Sequence, residues 1–478
     1  MKPLECAGSD VCRQYCLALD AQGVEVAIDD EAGCNVPAMF EVSDEGISFD
    51  PKPRDADLRN PEIVDSLGGA LCGVLIERTK NDSEREIVDD LITTYGQAFS
   101  AQLNIWQAML GATRDGRKFT DVELTYYQQK RAEAEQATLE RAASAPSEVV
   151  LRARAASDHH IKAEHKLLFD EQMTAVVDRL VSNLMDSKPT LLVGDKGIAK
   201  TQATKLVAKL FDPTREPIII SGHGDMMSNE LIGGMEQDKD TRVFRFKEGK
   251  IPYAMRMGLP VIIDEANVSD QPVMMRLQDL LLRRPGEQVI IQENGGDSIE
   301  IKPGFVVFAT ANEASARYQH RSVLDPAFRD RYDVIQMRYP DSKARNPLTE
   351  IPSTLMRLAL ASAVDGEGNL AAHIDLAELE KLVRLAHITQ HLYSVPARNA
   401  RVNITTGQAT SNFLDDEPTM TDCITPRTLD EVVGRCSDGN KPGMTLKSEM
   451  ERAIVSLDQA GSTTNQDYAR KALTLLGR

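Results

Sequence analysis

Residues Gly194-Asp195-Lys196-Gly197-Ile198-Ala199-Lys200-Thr201 constrain the fold of this chain more than any other stretch. A short apolar run, Thr190-Leu191-Leu192-Val193, precedes them, and a helical pattern from Gln202 to Leu210 follows. Buried strand, glycine turn, Lys-Thr and helix is the build of a loop that cradles phosphate. In such a loop, Gly194 through Gln202 offer backbone N–H groups and a helix N-terminus to phosphate oxygens. The Lys200 ammonium reaches the β/γ oxygens and the Thr201 hydroxyl ligates Mg²⁺. Ala199 stands where the consensus carries glycine, and by itself the stretch also fits a plain glycine turn. Downstream, Leu259-Pro260-Val261-Ile262-Ile263-Asp264-Glu265 reads as a second buried strand ending in two carboxylates. Asp264 suits the Mg²⁺ shell, and Glu265 suits orienting or activating a water. The second strand is what weighs against the plain turn.

The bulk properties narrow the classes. A chain of 478 residues is long enough for about three domains with large cores. The formal balance of 55 basic against 73 acidic residues, net −18, argues against a broad nucleic-acid or anionic-membrane surface. The first sixty residues carry five Lys/Arg against thirteen Asp/Glu, an excess expected of a solvated face. No apolar run reaches membrane-spanning length, and the N-terminus shows no signal-peptide core. Seven cysteines, an odd number, fit a reducing cytoplasm. Cys6, Cys12, Cys16 and Cys34 lack paired C-x₂-C spacing and a nearby His, so ordinary burial competes with a four-cysteine metal site.

Along the chain, residues 1–80 read as a small acidic mixed region. Residues 81–164 read as a helical hairpin. Ser83-x-x-Glu86 caps the first helix, whose stripe runs Val88, Ile92, Tyr95, Phe99, Leu103, Trp106 and Leu110 and stops at Asp115-Gly116. Thr120-x-x-Glu123 caps the second, which runs to about Ala143 before the break at Ala145-Pro146-Ser147. The hairpin serves either packing or partner binding. From 165 to 342, strands at Thr190–Val193, Pro217–Ser221, Pro260–Asp264, Phe305–Ala311 and Asp333–Arg338 alternate with helices, which predicts an α/β parallel sheet. Two hairpins interrupt it, Gly234–Phe246 turning at Asp238–Thr241, and Gln288–Ile301 turning at Asn294–Asp297. Residues 343–478 read as helices: Ser353–Val364, Asp375–His391, Thr428–Arg435, Lys447–Ala460 and Asp467–Leu476.

These residues resemble the AAA+ ATPases, and within them the MoxR and dynein-related branch. Gly194-x-x-Gly197-Ile198-Ala199-Lys200-Thr201 is similar to that branch's phosphate loop, with Lys196 in place of a frequent proline. Ile263-Asp264-Glu265-Ala266-Asn267 resembles its second motif. The Gly234 hairpin corresponds to the helix-2 insert, and the Asn294 hairpin to the pre-sensor-1 insert. Ala309-Thr310-Ala311-Asn312 resembles sensor 1, and Leu324-Asp325-Pro326-Ala327-Phe328-Arg329-Asp330-Arg331-Tyr332 the arginine-finger segment. Thr425-Pro426-Arg427-Thr428 sits where the helical lid carries sensor 2. The resemblance covers 165–345 well, the lid more loosely, and residues 1–164 not at all.

The resemblance implies a P-loop AAA+ core with a helical lid. It implies catalytic roles for Glu265, for Asn312, whose amide would position the attacking water, and for Arg331 reaching a neighbour's γ-phosphate. Arg329 either assists or pairs with Asp325 or Asp330. Arg427 serves as sensor 2 or stands as a surface charge. ATP and Mg²⁺ are the implied cofactors, with Thr201 and Asp264 at the metal. A cytoplasmic homo-oligomeric ring, a hexamer, that remodels or loads a protein client is the expectation, often with a von Willebrand A-domain partner. The rival is a nucleotide-gated scaffold with little turnover, and a nucleic-acid motor is disfavoured by charge. His223 and Asp225 read as loop polar residues rather than ligands.

Overall fold

The computed structural model describes residues 27–29, 33–35, 40–43, 46–49, 82–222, 231–237, 242, 244–268, 280, 283–312, 329–340, 353–371, 374–394, 420, 422–438, 444–457 and 464–476. Near the N-terminus, β1 (Ala27–Asp29) pairs antiparallel with β2 (Gly33–Asn35), and β3 (Phe40–Ser43) with β4 (Gly46–Phe49). Cys34 lies in β2, while Cys6, Cys12 and Cys16 lie outside the described residues.

Three helices follow: α1 (Asp82–Arg114), α2 (Asp121–Ser144) and α3 (Ser147–His165). The expected hairpin therefore gains a third helix. Pro146 starts it rather than ending the helical stretch, because its fixed φ suits a helix entrance and its carbonyl accepts from the Val150 N–H at 3.1 Å. The capping box at the start of α2 forms as expected. The Thr120 N–H donates to Glu123 Oε2 at 2.9 Å, and the Glu123 N–H donates back to Thr120 Oγ1 at 3.3 Å. The Thr120 N–H, with the Thr120 hydroxyl donating to the same oxygen, holds the Glu123 carboxyl below its ordinary range.

The chain forms two compact units. One takes in Phe99–Glu133 and His165–Arg338; the other takes in the described residues up to Ala98, Ala134–Glu164 and Tyr339–Arg478. In the first unit lie α4 (Glu171–Met185), β5 (Thr190–Gly194), α5 (Lys200–Phe211), β6 (Ile218–Ser221), β7 (Gly233–Gln237), β8 (Phe244–Glu248), α6 (Lys250–Met257), β9 (Val261–Asp264), β10 (Gln288–Ile291), β11 (Asp297–Glu300), β12 (Val307–Ala311) and β13 (Asp333–Met337). Five of these strands make one parallel sheet in the order β13-β5-β12-β9-β6. Leu191, Leu192, Ile262, Ile263, Val307 and Phe308 are buried, which is why these strands read as unbroken apolar runs. Pro217, expected as the start of a strand, precedes β6; lacking an N–H it cannot donate to the ladder. Both expected hairpins form, β7 with β8 and β10 with β11. The Asp238–Thr241 turn lies outside the described residues, as do His223, Asp225 and Leu324–Phe328.

Helices cover this sheet. Asp170 caps α4 by accepting from the Met173 N–H at 2.7 Å. Asp178 on α4 accepts from Trp106 Nε1 at 2.6 Å and from Gln102 Nε2 at 3.2 Å. The Phe169 ring lies tilted against those of Phe99 and Trp106, with centroids 4.7 and 5.9 Å away, so the C-terminal half of α1 is part of this unit's fabric.

The second unit is helical: α7 (Ser353–Ala363), α8 (Leu376–Ser394), α9 (Pro426–Ser437), α10 (Leu446–Val455) and α11 (Thr464–Leu476). Leu355, Leu379, Leu382, Val432, Ile454 and Ala469 build its core, and Ala155 of α3 joins them. α10 ends at Val455, short of the expected Ala460, where Ser456 closes the helix by donating its N–H to Arg452 O. Asp158 of α3 is buried here against Arg357, which donates to both carboxylate oxygens at 2.9 Å. No helix among the described residues is long and apolar enough to cross a membrane.

Candidate functional site

The sheet order brings the C-terminal ends of β5, β12 and β9 side by side, the place where open parallel sheets bind ligands. β5 delivers Gly194. A Cβ there would stand 2.2 Å from Met337 O on the paired β13 and 3.0 Å from Ile198 Cδ1, so only glycine fits. The loop then turns through two left-handed residues, Gly197 at φ +76° and Ala199 at φ +63°. Alanine in that region costs about 1–2 kcal/mol. The loop therefore holds a conformation that glycine would adopt freely. α5 opens directly at Lys200 and points the N–H groups of its first turn, Gln202 included, at the loop. Asp195, Lys196 and Gly197 are half-buried, whereas Ile198 is tucked under the loop.

Lys200 is buried, 8% exposed, and its Nζ donates to Gly194 O at 2.8 Å, to Asp195 O, and to Asn312 Oδ1 at 2.8 Å. The three acceptors are oxygens arranged around one ammonium, so the residues fit an anionic oxygen in the same cradle. Thr201 Oγ1 donates to Asp264 Oδ1 at 2.6 Å. A hydroxyl and a carboxylate in contact, both hard oxygen donors, suit a small divalent cation such as Mg²⁺.

Glu265 follows Asp264 with φ +53°, a left-handed backbone that a side chain adopts only at a cost. Its N–H donates to Thr310 Oγ1 at 3.1 Å, and the Thr310 hydroxyl donates to Asp264 Oδ1 at 2.6 Å. One threonine on β12 thus bonds both Asp264, the last residue of β9, and Glu265 after it. Glu265 is exposed, whereas Asp264 is half-buried. Asn267, in the short helical turn after β9, donates Nδ2 to Asn312 O at 3.0 Å and fixes the end of β12. Asn312 is therefore held at its backbone and reaches Lys200 with its side chain.

Lys200, Thr201, Asp264 and Asn312 come together in one bonded cluster, with Glu265 at its edge. Arg329 and Arg331 occupy an exposed turn that leads into β13. Between them and β13, Tyr332 is buried, and burial pushes its phenol well above its ordinary range. Arg427 is the second residue of α9 in the helical unit, exposed behind the Thr425 cap and Pro426. Thr310 had no role assigned from sequence. Its signal was a hydroxyl inside an otherwise apolar buried strand, where a polar atom has to find partners.

Residues 189–332 match the AAA domain (dynein-related subfamily). The chain is similar to Midasin of Giardia intestinalis, 30% identical over 148 residues, which is 31% of this chain and 3% of that protein. It is likewise similar to Midasin of Dictyostelium discoideum, 30% identical over 144 residues, 30% of this chain and 2% of that protein. The chain thus spans only a few hundredths of the length of these relatives. The crystal structure of a candidate ATPase from Cytophaga hutchinsonii aligns at 19% identity over 49% of this chain and 71% of that one, with a TM-score of 0.29.

Proposed function

We propose that this chain is a Mg²⁺-dependent ATPase of the MoxR-like kind. It works as a homo-oligomeric ring, a hexamer, that remodels or loads a protein client, with a von Willebrand A-domain protein as the partner class. The odd cysteine count supports a cytoplasmic setting. The observation that carries the reading is the convergence of Lys200, Thr201, Asp264 and Asn312 at the ends of three adjacent parallel strands.

Bound Mg·ATP supplies a transferable phosphoryl group and a cation that neutralises its charge. The chain's own residues do the rest. Gly194 through Gln202 wrap the phosphates with backbone N–H groups, and Lys200 exchanges its loop carbonyls for phosphate oxygens. Thr201 and Asp264 hold the cation. Glu265 takes the proton from the attacking water, and Asn312 orients that water. Arg331, with Arg329 beside it, stabilises transition-state charge in a neighbouring subunit, and Arg427 senses the nucleotide from the lid.

Two variants test this together. Lys200→Ala abolishes ATP binding in an equilibrium titration, because the cradle loses its charge. Glu265→Gln keeps ATP binding and stops phosphate release, because the amide has the shape of the carboxylate without its basicity. A Glu265→Gln protein turning over like wild type sinks the catalytic assignment. A wild-type protein that binds ATP and assembles without turnover would instead be a nucleotide-gated scaffold. The Glu265→Gln form, held with ATP bound, is also the bait that captures the client.

A further inference from the structure

We propose that Asp333 is a positioning residue for the arginine turn: it fixes the base from which Arg331 is presented to a neighbouring subunit, a role that rests on the finger reading above. Asp333 is the first residue of β13, and only Tyr332 separates it from Arg331. Its N–H donates to Pro189 O at 2.8 Å. Its carboxylate accepts from Arg179 Nε at 2.6 Å, Arg179 Nη2 at 2.8 Å, Asn183 Nδ2 at 2.7 Å and Lys188 Nζ at 3.3 Å. The side chain is only 12% exposed, although the arginine it binds is largely in solvent. The Arg179 hydrogen bonds hold the carboxyl well below the usual carboxylate range, so it stays ionised at neutral pH.

The placement matters because β13 is an edge strand. Among the described residues it pairs with β5 alone, and Val334 and Gln336 are exposed. Asp333 and Tyr332 lie where the chain enters the sheet. Tyr332 closes the preceding turn by donating its N–H to Arg329 O at 3.0 Å, and its side chain is buried. The same donor, Asn183 Nδ2, also reaches Thr190 Oγ1 at 2.8 Å, at the first residue of the phosphate-loop strand. Asp333 and Thr190 are direct register partners. One post on α4 therefore carries both the strand that ends in the subunit's own phosphate loop and the strand that begins after its arginine turn. A long arginine reaching another molecule needs such a fixed base, since misplacement by about 1 Å costs on the order of 10²-fold in rate.

The test uses the full chain and two variants, Asp333→Ala and Asp333→Asn, the second keeping the side chain's size and one acceptor. Either folded variant should bind ADP within about twofold of wild type and lose about 10²-fold in ATP turnover. Mixing it with Lys200→Ala subunits should restore turnover, because the variant's intact phosphate loop then meets an intact arginine turn. Damage to the fold or to its own loop would not be repaired by a neighbour. Arg331→Ala is run in parallel. If Arg331→Ala is inactive and rescued in the mixture while both Asp333 variants turn over normally, the positioning role is overturned and the ATPase reading stands. Loss of turnover in the Asp333 variants without rescue overturns it as well. Full turnover by Arg331→Ala overturns the finger reading beneath it.

Discussion

At the scale of single residues, the site is organised by groups that do no chemistry. Thr310 bonds Asp264 through its hydroxyl hydrogen and the Glu265 N–H through its oxygen. Thr310→Val preserves shape and removes both bonds. A buried donor left without a partner costs about 1–3 kcal/mol, roughly ten- to a hundred-fold in an equilibrium. The expected result is a fall of about tenfold or more in steady-state phosphate release, with ADP binding in EDTA unchanged and activity recovered in Thr310→Ser. Unaltered release by Thr310→Val would show that Glu265 keeps its left-handed backbone by other means. Ala199 and Glu265 both sit at positive φ, at the two ends of the same cluster. Such backbone persists only where its surroundings hold it, and at Glu265 the bond from its N–H to Thr310 does so.

Among the elements, α3 shows how a helix from the N-terminal half is fastened into the helical unit. Asp158 is buried, and burial opposes its ionisation, but the guanidiniums of Arg357 and Arg154 outweigh that and hold the carboxyl below its ordinary range. Removing one partner of a buried pair costs about 3–5 kcal/mol where it strands the charge, and Arg154, still beside Asp158, keeps the loss of Arg357 below that. Arg357→Ala should therefore lower the melting temperature clearly, whereas Arg357→Lys, which keeps the charge but loses the two-pronged contact, should lie between. The pH dependence follows from the sign of the shift. A carboxylate whose folded pKa is depressed contributes stability that is fully present above its unfolded value of about 4 and is lost as pH falls through the folded one. Wild type should accordingly lose stability on acidification below about pH 4 more steeply than Asp158→Asn, in urea melts across that range. A shallower wild-type slope would mean that the pair is not formed in solution.

For the whole molecule, the central prediction concerns assembly. If Arg331 completes a neighbour's site, its loss leaves nucleotide binding intact and reduces turnover by on the order of 10³-fold. Mixing Arg331→Ala with Lys200→Ala subunits, each inactive alone, should restore part of the activity, since some interfaces then join an intact Lys200 site to an intact Arg331. Turnover per subunit should also rise with protein concentration through the assembly range. Hydrolysis at the full rate by a strictly monomeric preparation is the outcome that removes the ring from the mechanism. A formal charge of −18 keeps such an assembly soluble, and an arginine presented to a neighbour then stands against an acidic background.

What the sequence by itself determined is local. Glycine spacing, Lys-Thr and an apolar run marked the strand, glycine turn and helix that β5, Gly194 to Ala199 and α5 form. A second apolar run ending in Asp264-Glu265 located the carboxylates, and Thr120 with Glu123 predicted a cap that forms as written. Each signal is contained within about ten residues, where strand burial, turn chemistry and helix entry are decided by neighbours in the chain. The third helix escaped because Pro146 reads equally as a stop and as a start. The tertiary structure alone decided which distant residues meet. Lys200 and Asn312 are 112 positions apart and share a bond; Arg179 and Asp333 are 154 apart and share two. No periodicity encodes those meetings. They follow from a strand order, β13-β5-β12-β9-β6, in which β5, the first of these strands in the chain, lies between the last two, β12 and β13. Once that order is set, the backbone hydrogen bonds of the ladder fix the register, and the register puts each side chain within reach of its partner.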